Sequence, residues 1–100
     1  MPESKILVID DDEVLLELLA DHLSAAGYQP LLAQSGQAGL RVATEAEPDL
    51  VVLDVMMPGM DGWEVCRRLR EISAVPIIML TAKGQEVDKL RGFHLGWMIM

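Results

Sequence analysis

Two short apolar runs, each stopped by an aspartate, restrict most strongly the folds that this chain can adopt. Residues 6–9 (ILVI) run into three consecutive aspartates, and residues 50–53 (LVVL) end at Asp54. Neither run has helical spacing, and short runs that are apolar throughout are typical of strands buried on both faces of a sheet. Residues 30–33 and 75–80 predict two further strands. A sheet of this kind needs helices on both of its sides.

Four segments between and after these strands carry apolar residues at helical spacing. The predicted inward positions are Val14, Leu15, Leu18, Leu19 and Leu23 in the first helix, Ala38, Val42 and Ala43 in the second, Val65, Leu69 and Ile72 in the third, and Val87, Leu90 and Phe93 in the fourth. Asp12 and Ser35 are suited to cap the first two helices. Strands and helices that alternate in this way predict an α/β fold with a parallel sheet and right-handed crossovers.

Length, charge and cysteine content exclude several classes of protein. The chain has 100 residues, enough for one domain, and its formal net charge is −8. Direct binding of nucleic acid is not expected, because it requires clustered Lys and Arg. No apolar run approaches the roughly 18 residues that span a bilayer, and the first residues do not resemble a signal peptide. The single cysteine, Cys66, allows no internal disulfide, which favours a cytoplasmic protein.

The aspartates that end the strands are expected to meet at one edge of the sheet. In parallel sheets, sites lie beyond the carboxyl ends of the strands, and this rule brings together Asp10, Asp11, Asp12, Asp54 and Thr81. Converging carboxylates repel one another unless protonation or a hard cation offsets their charge. Mg²⁺ is a suitable cation, and a carboxylate can attack phosphorus to form an aspartyl phosphate. The alternative is that these acids only cap the next helix, which we favour for Asp12 alone.

Three stretches of the sequence, ILVIDDDEVL, DLVVLDVMMPGMDGWEV and PIIMLTAKGQEVDKLRGFHLG, closely resemble the receiver domain of two-component response regulators. The resemblance covers roughly residues 4–96. It implies a flavodoxin-like, doubly wound parallel sheet and a signalling module rather than an enzyme. It also implies a sensor histidine kinase as the partner and Mg²⁺ as the cofactor.

The same resemblance implies roles for individual residues. Asp54 matches the phosphoacceptor that attacks the phosphohistidine of the kinase. Asp10 and Asp11 match the acidic pair that holds Mg²⁺ together with Asp54, and Asp11 is favoured as the direct ligand. The backbone carbonyl of Met56 matches the third protein ligand. Thr81 matches the switch hydroxyl that turns toward the phosphoryl group.

Two other families with similar folds fit the residues less well. Phosphatases of the haloacid dehalogenase type also use an aspartate nucleophile, but they place a second acid two residues later, where this chain has Met56. Flavodoxins need a phosphate-binding loop of Ser, Thr and Gly after the first strand, where three aspartates would repel the phosphate of FMN. A phosphatase-like enzyme is therefore the weakest of the hypotheses.

The last five residues, GWMIM, depart from the receiver pattern. The resemblance implies a (βα)₅ domain, in which a fifth strand with an essential lysine and then a fifth helix would follow Gly96. We therefore expect an incomplete receiver over residues 1–96, a (βα)₄ remnant, followed by a non-family tail at residues 97–100 that a one-base frameshift would produce. Loss of the lysine would impair phosphoryl transfer, and loss of the fifth strand would leave the edge of residues 75–80 unpaired.

Self-association is expected from such an edge, because exposed strand edges favour association. We predict a homodimer or larger assembly with the tail or the fourth strand at the contact, and domain exchange is one route to it. Two functions follow for the chain: a phosphoacceptor module impaired by truncation, or a non-signalling, self-associating truncated receiver.

Overall fold

The computed structural model describes residues 3–80 and the backbone of residues 97–99. The elements in this part of the chain are β1 (Lys5–Ile9), α1 (Glu13–Ala25), β2 (Gln29–Ala33), α2 (Gly36–Ala46), β3 (Leu50–Asp54), α3 (Gly62–Ile72), β4 (Ile77–Leu80) and β5 (Trp97–Ile99). The predicted fourth helix lies outside the described residues. None of the helices in the described part is both long enough and apolar enough to cross a lipid bilayer.

The strands form one sheet in the order β2-β1-β3-β4-β5. β1 pairs in parallel with both β2 and β3, and β3 pairs in parallel with β4. Residues of α1 pack on one face of this sheet, and residues of α2 and α3 pack on the other. The flavodoxin-like, doubly wound arrangement predicted from the sequence is thereby confirmed.

β1 is buried on both faces because the two helical layers cover it. Leu7 and Ile9 join the larger core beneath α2 and α3, whereas Ile6 and Val8 pack with Leu16 of α1. Alternate residues of a strand point to opposite faces of the sheet. An uninterrupted apolar run is therefore what two covered faces require.

The predicted helix caps are also present. The side chain of Asp12 accepts hydrogen bonds from two backbone N–H groups in the first turn of α1. The hydroxyl of Ser35 accepts one from the N–H of Ala38 in α2. Such caps satisfy N–H groups that have no partner within the helix. Each helix therefore begins where its sequence provides a short polar side chain.

The inward faces of two helices differ from the prediction. In α1, Leu19 and Leu23 pack against the core as predicted, beside the buried Leu16. Val14 and Leu18, by contrast, are 75% and 51% exposed. Leucine occupies so many positions of this helix that more than one face is apolar, and packing on the sheet selects the face of Leu16. In α3, Leu69 is buried as predicted, but Ile72, the last residue of the helix, is 59% exposed.

The prediction of an unpaired edge on the fourth strand is wrong. β5 pairs antiparallel with β4, so that Trp97 lies opposite Leu80 and Ile99 lies opposite Ile78. An antiparallel neighbour hydrogen-bonds to backbone groups of an edge strand, as a parallel neighbour does. In the described part of the chain, β5 is therefore the outermost strand on this side of the sheet, and β2 is the outermost strand on the other.

Candidate metal centre at the carboxyl edge of the sheet

Asp10 and Asp54 emerge side by side at the carboxyl edge of the sheet. Ile9 and Leu53 lie opposite each other in the parallel ladder of β1 and β3, and each aspartate directly follows one of them in the chain. Both aspartates are only 1% exposed. Asp11 comes next after Asp10 and is exposed.

The carboxylates of Asp10, Asp11 and Asp54 converge. One oxygen atom from each of the three lies within 4.8 Å of the other two. A set of donors made only of carboxylate oxygens suits a hard divalent cation such as Mg²⁺. Two of the carboxylates are buried, where water offsets their mutual repulsion poorly, so a cation among them would be favourable. The residues at this edge therefore fit the Mg²⁺ that the sequence predicted.

Backbone hydrogen bonds orient the two buried carboxylates. The N–H of Asp12 donates to Oδ1 of Asp10 at 2.9 Å, and the N–H of Met56 donates to Oδ1 of Asp54 at 3.1 Å. In both cases the donor lies two residues further along the chain, which is the geometry of an Asx turn. The direction of each carboxylate is therefore set by the turn that follows its strand.

The remaining residues of the predicted site have different outcomes. Oδ1 of Asp12 accepts hydrogen bonds from the N–H groups of Val14 and Leu15, at 3.0 and 3.2 Å, so this acid caps α1. Met56 contributes its N–H to Asp54, while the role proposed for its carbonyl oxygen stays a prediction. Thr81 lies outside the described residues, but Leu80, just before it in the chain, is opposite Asp54 in the ladder of β3 and β4.

An acid in the first turn of α3 pairs with two arginines further along the helix. Arg67 and Arg68 both donate hydrogen bonds to the carboxylate of Glu64. These hydrogen bonds lower the pKa of Glu64 below its ordinary value, and the one from Arg67 has the larger effect. A lowered pKa means that this stabilisation is present above the ordinary pKa of glutamate and is lost as the pH falls through the folded-state pKa. All three side chains reach solvent, so the ion pairs stabilise the fold only slightly.

The sequence did not point to Gly62 as a residue of the site, although it lies against Asp54. A Cβ atom added to Gly62 would be 2.5 Å from the carbonyl oxygen of Asp54 and 2.6 Å from Cα of Val55. The only signal in the sequence is the cluster of turn residues MPGMDG before α3. That cluster predicts a loop but not the close approach of the helix to the strand.

The fold and these carboxylates define a doubly wound α/β protein with a candidate divalent-metal site at the carboxyl ends of β1 and β3. The profile of the response regulator receiver domain matches residues 6–99, and the chain belongs to that family. Receiver domains of two-component response regulators are signalling modules that interact with histidine kinases.

Curated relatives include complete bacterial regulators. The chain is 48% identical over 93 residues to the alkaline phosphatase synthesis transcriptional regulatory protein PhoP of Bacillus subtilis, a match that covers 92% of this chain and 39% of the relative. It is 44% identical over 92 residues to the transcriptional regulatory protein BaeR of Escherichia coli, covering 92% of this chain and 38% of the relative. The chain therefore spans well under half the length of these relatives.

Solved structures share the same fold. The chemotaxis protein CheY4 of Vibrio cholerae aligns with a TM-score of 0.80 and 32% identity over 95% of this chain and 82% of that one. A response regulator from Chloroflexus aurantiacus aligns with a TM-score of 0.79 and 37% identity over 95% of this chain and 80% of that one.

Proposed function

We propose that this receiver domain takes up a phosphoryl group on Asp54 from the phosphohistidine of a sensor histidine kinase. The main support is the convergence of Asp10, Asp11 and Asp54 within 4.8 Å at the carboxyl edge of the sheet. Asp54 is the one of the three at the end of β3, which lies between β1 and β4. Membership of the receiver family supports the same role.

The transfer makes one bond and breaks another. An oxygen atom of the Asp54 carboxylate attacks phosphorus, the bond between phosphorus and the imidazole nitrogen breaks, and the electron pair of that bond stays on the nitrogen. The N–H of Met56 donates to Oδ1 of Asp54 at 3.1 Å and so helps to orient the attacking carboxylate. The 1% exposure of Asp54 limits the access of bulk water to the acyl phosphate that forms.

Asp10, Asp11, Asp54 and the backbone carbonyl of Met56 would hold Mg²⁺ in this proposal. Bound there, Mg²⁺ would offset negative charge on the phosphoryl group during transfer. Because the side chain of Asp11 is exposed, it can bind the cation without any rearrangement of the buried core. Thr81, which follows β4 in the chain, is proposed to donate its hydroxyl to a phosphoryl oxygen.

Acetyl phosphate, a small acyl phosphate, tests the proposal directly. With Mg²⁺ present, we expect the intact protein to gain the mass of one phosphoryl group, and fragmentation to locate the group on Asp54. Excess chelator should prevent the reaction. An unchanged mass both with acetyl phosphate and with phosphorylated histidine kinases would contradict the proposal.

PhoP and BaeR are named as transcriptional regulatory proteins, but this chain spans 39% and 38% of their lengths, so we propose no regulatory output for it.

We also predict a cytoplasmic location. Cys66 is a buried free thiol, which is consistent with this location.

Because β5 pairs with β4, self-association through this edge of the sheet would involve β5 rather than β4. β5 is the outermost strand of the described sheet on its side, and its residues are all apolar. Apolar edge strands favour pairing with another chain. We propose a homodimer through this edge, and light scattering after size exclusion would contradict it by showing a folded monomer at micromolar concentration.

A further inference from the structure

Gly62 begins α3 in direct contact with the backbone of the strand that carries Asp54. An added Cβ would lie 2.5 Å from the carbonyl oxygen of Asp54, 3.1 Å from its carbonyl carbon and 2.6 Å from Cα of Val55. Real Cβ atoms do not approach backbone atoms this closely, and a backbone cannot move aside as the end of a flexible side chain can. The peptide after Asp54 therefore occupies the space that a side chain at position 62 would need.

The conformation of Gly62 does not require glycine. In the described residues, the glycines with positive φ are Gly27 and Gly59, so the backbone of Gly62 is open to any L-residue. Gly59 and Gly62 are thus glycines for different reasons, although they lie in the same loop. Among the described residues, the close contacts given for position 62 are with Asp54 and Val55, and these exclude a side chain there.

Hydrogen bonds hold both backbone polar groups of Val55, the residue after Asp54. The N–H of Gly62 donates to the carbonyl oxygen of Val55 at 3.0 Å, and the N–H of Val55 donates to the carbonyl oxygen of Leu80 at 3.1 Å. The N–H of Met56 then donates to the Asp54 carboxylate. A shift of α3 away from the strand would therefore move the loop from which the Asp54 carboxylate receives its hydrogen bond.

We propose that Gly62 is a positioning residue for Asp54: its missing side chain lets α3 press against the Asp54–Val55 peptide and so fixes the attacking carboxylate. This inference rests on the proposed function of Asp54. Misplacement of a reacting group by about 1 Å can cost up to about 100-fold in rate. The expected consequence of a methyl group at position 62 is therefore a large loss of rate in a protein that still folds.

Gly36→Ala provides a matched control for Gly62→Ala. A Cβ at position 36 would lie 2.6 Å from Cγ2 of Val65, a residue of the same helix α3, with the next contacts at Met60. Both variants add one methyl group at the start of a helix, and the nearest atom would lie 2.5 Å away at position 62 and 2.6 Å away at position 36. Only the variant at position 62 crowds the backbone of Asp54.

Phosphorylation rate and backbone amide resonances are measured together for the two variants. We expect Gly62→Ala to slow uptake of phosphate from acetyl phosphate by at least about tenfold and to shift the amide resonances of Val55 and Met56. Gly36→Ala should keep a rate near that of the wild type and leave those resonances in place. Equal rates for the two variants, with equal resonances, would overturn the positioning role.

Asp61 provides a second route if Gly62→Ala does not fold. Its Oδ1 accepts the N–H of Glu64 at 3.0 Å and caps α3, and asparagine caps about as well as aspartate. Asp61→Ala should loosen the start of α3 and slow phosphorylation, and Asp61→Asn should restore the rate. Equal rates for these two variants would count against the inference.

Failure of the proposed function gives a different result. A wild-type protein that takes up no phosphoryl group would overturn the function proposed for Asp54. The amide resonances of the Gly62→Ala variant would still test the contact between position 62 and the Asp54–Val55 peptide.

Discussion

Asp54→Ala is expected to abolish phosphorylation by acetyl phosphate and by histidine kinases. The substitution removes the proposed nucleophile, and no other group in the site can replace it at the same place, because Asp10 and Asp11 follow a different strand. The intact mass of the variant should not change under conditions that fully modify the wild-type protein. Circular dichroism would establish that the variant is folded.

Asp49→Ala is the matched control for this loss. Asp49 directly precedes β3, whereas Asp54 is its last residue. The carboxylate of Asp49 accepts the N–H of Lys5 at 2.7 Å, at the end of the strand away from the carboxyl edge. The control removes one carboxylate and one hydrogen bond at the opposite end of β3 and should leave phosphorylation intact. Full modification of Asp54→Ala would place the phosphoacceptor elsewhere in the chain.

Mg²⁺ is expected to stabilise the folded protein strongly. A ligand that binds only the native state at about 100 times its Kd adds about 2.7 kcal/mol to the free energy of unfolding. For a domain of this size, each kcal/mol raises Tm by about 4–8 °C, so saturating Mg²⁺ should raise Tm by about 10–20 °C. The gain follows from binding and from relief of the repulsion among three carboxylates. Thermal unfolding at increasing Mg²⁺ concentration measures it.

Asp11→Asn and Asp12→Asn separate the metal site from its surroundings. Both residues are exposed, and both substitutions remove one negative charge from the turn after β1. Asparagine at position 12 keeps the cap of α1, so this variant should retain most of the Mg²⁺ effect on Tm. Asp11→Asn should lose most of it, since Asp11 belongs to the converging set. An equal loss in both variants, or a wild-type Tm that Mg²⁺ does not change, would contradict the assignment.

The positions of the strands and the helix caps could be predicted from local sequence. Four of the five residues in each of β1 and β3 form an apolar run too short and too uniform for an amphipathic helix. Burial on both faces is the physical reason for that composition. Asp12 and Ser35 cap α1 and α2 because a short polar side chain reaches the free N–H groups of a first turn. These features depend on residues at most a few positions apart.

The inward face of α1 and the partner of β4 could not be predicted in this way. α1 has leucines on more than one face, and contact with Ile6 and Val8 makes Leu16 the buried one. The sequence of β5 departs from the receiver pattern and does not indicate a strand partner. In the structure β5 pairs with β4, and the paired residues Leu80 and Trp97 are 17 positions apart in the chain. Both outcomes depend on contacts that local spacing does not encode.

The acidic site shows where local information ends. Asp10 and Asp54 each terminate an apolar run, so the sequence alone places a carboxylate at the end of two parallel strands. That these two strands are neighbours depends on a crossover that sets β3 beside β1, and only this neighbour relation brings the acids within reach of one cation. The contact of Gly62 with Asp54 is likewise a matter of how closely a helix approaches a strand. Strand ends and helix caps are determined by residues close together in the sequence. The distances among the carboxylates of the candidate site are instead determined by packing between elements far apart in the chain.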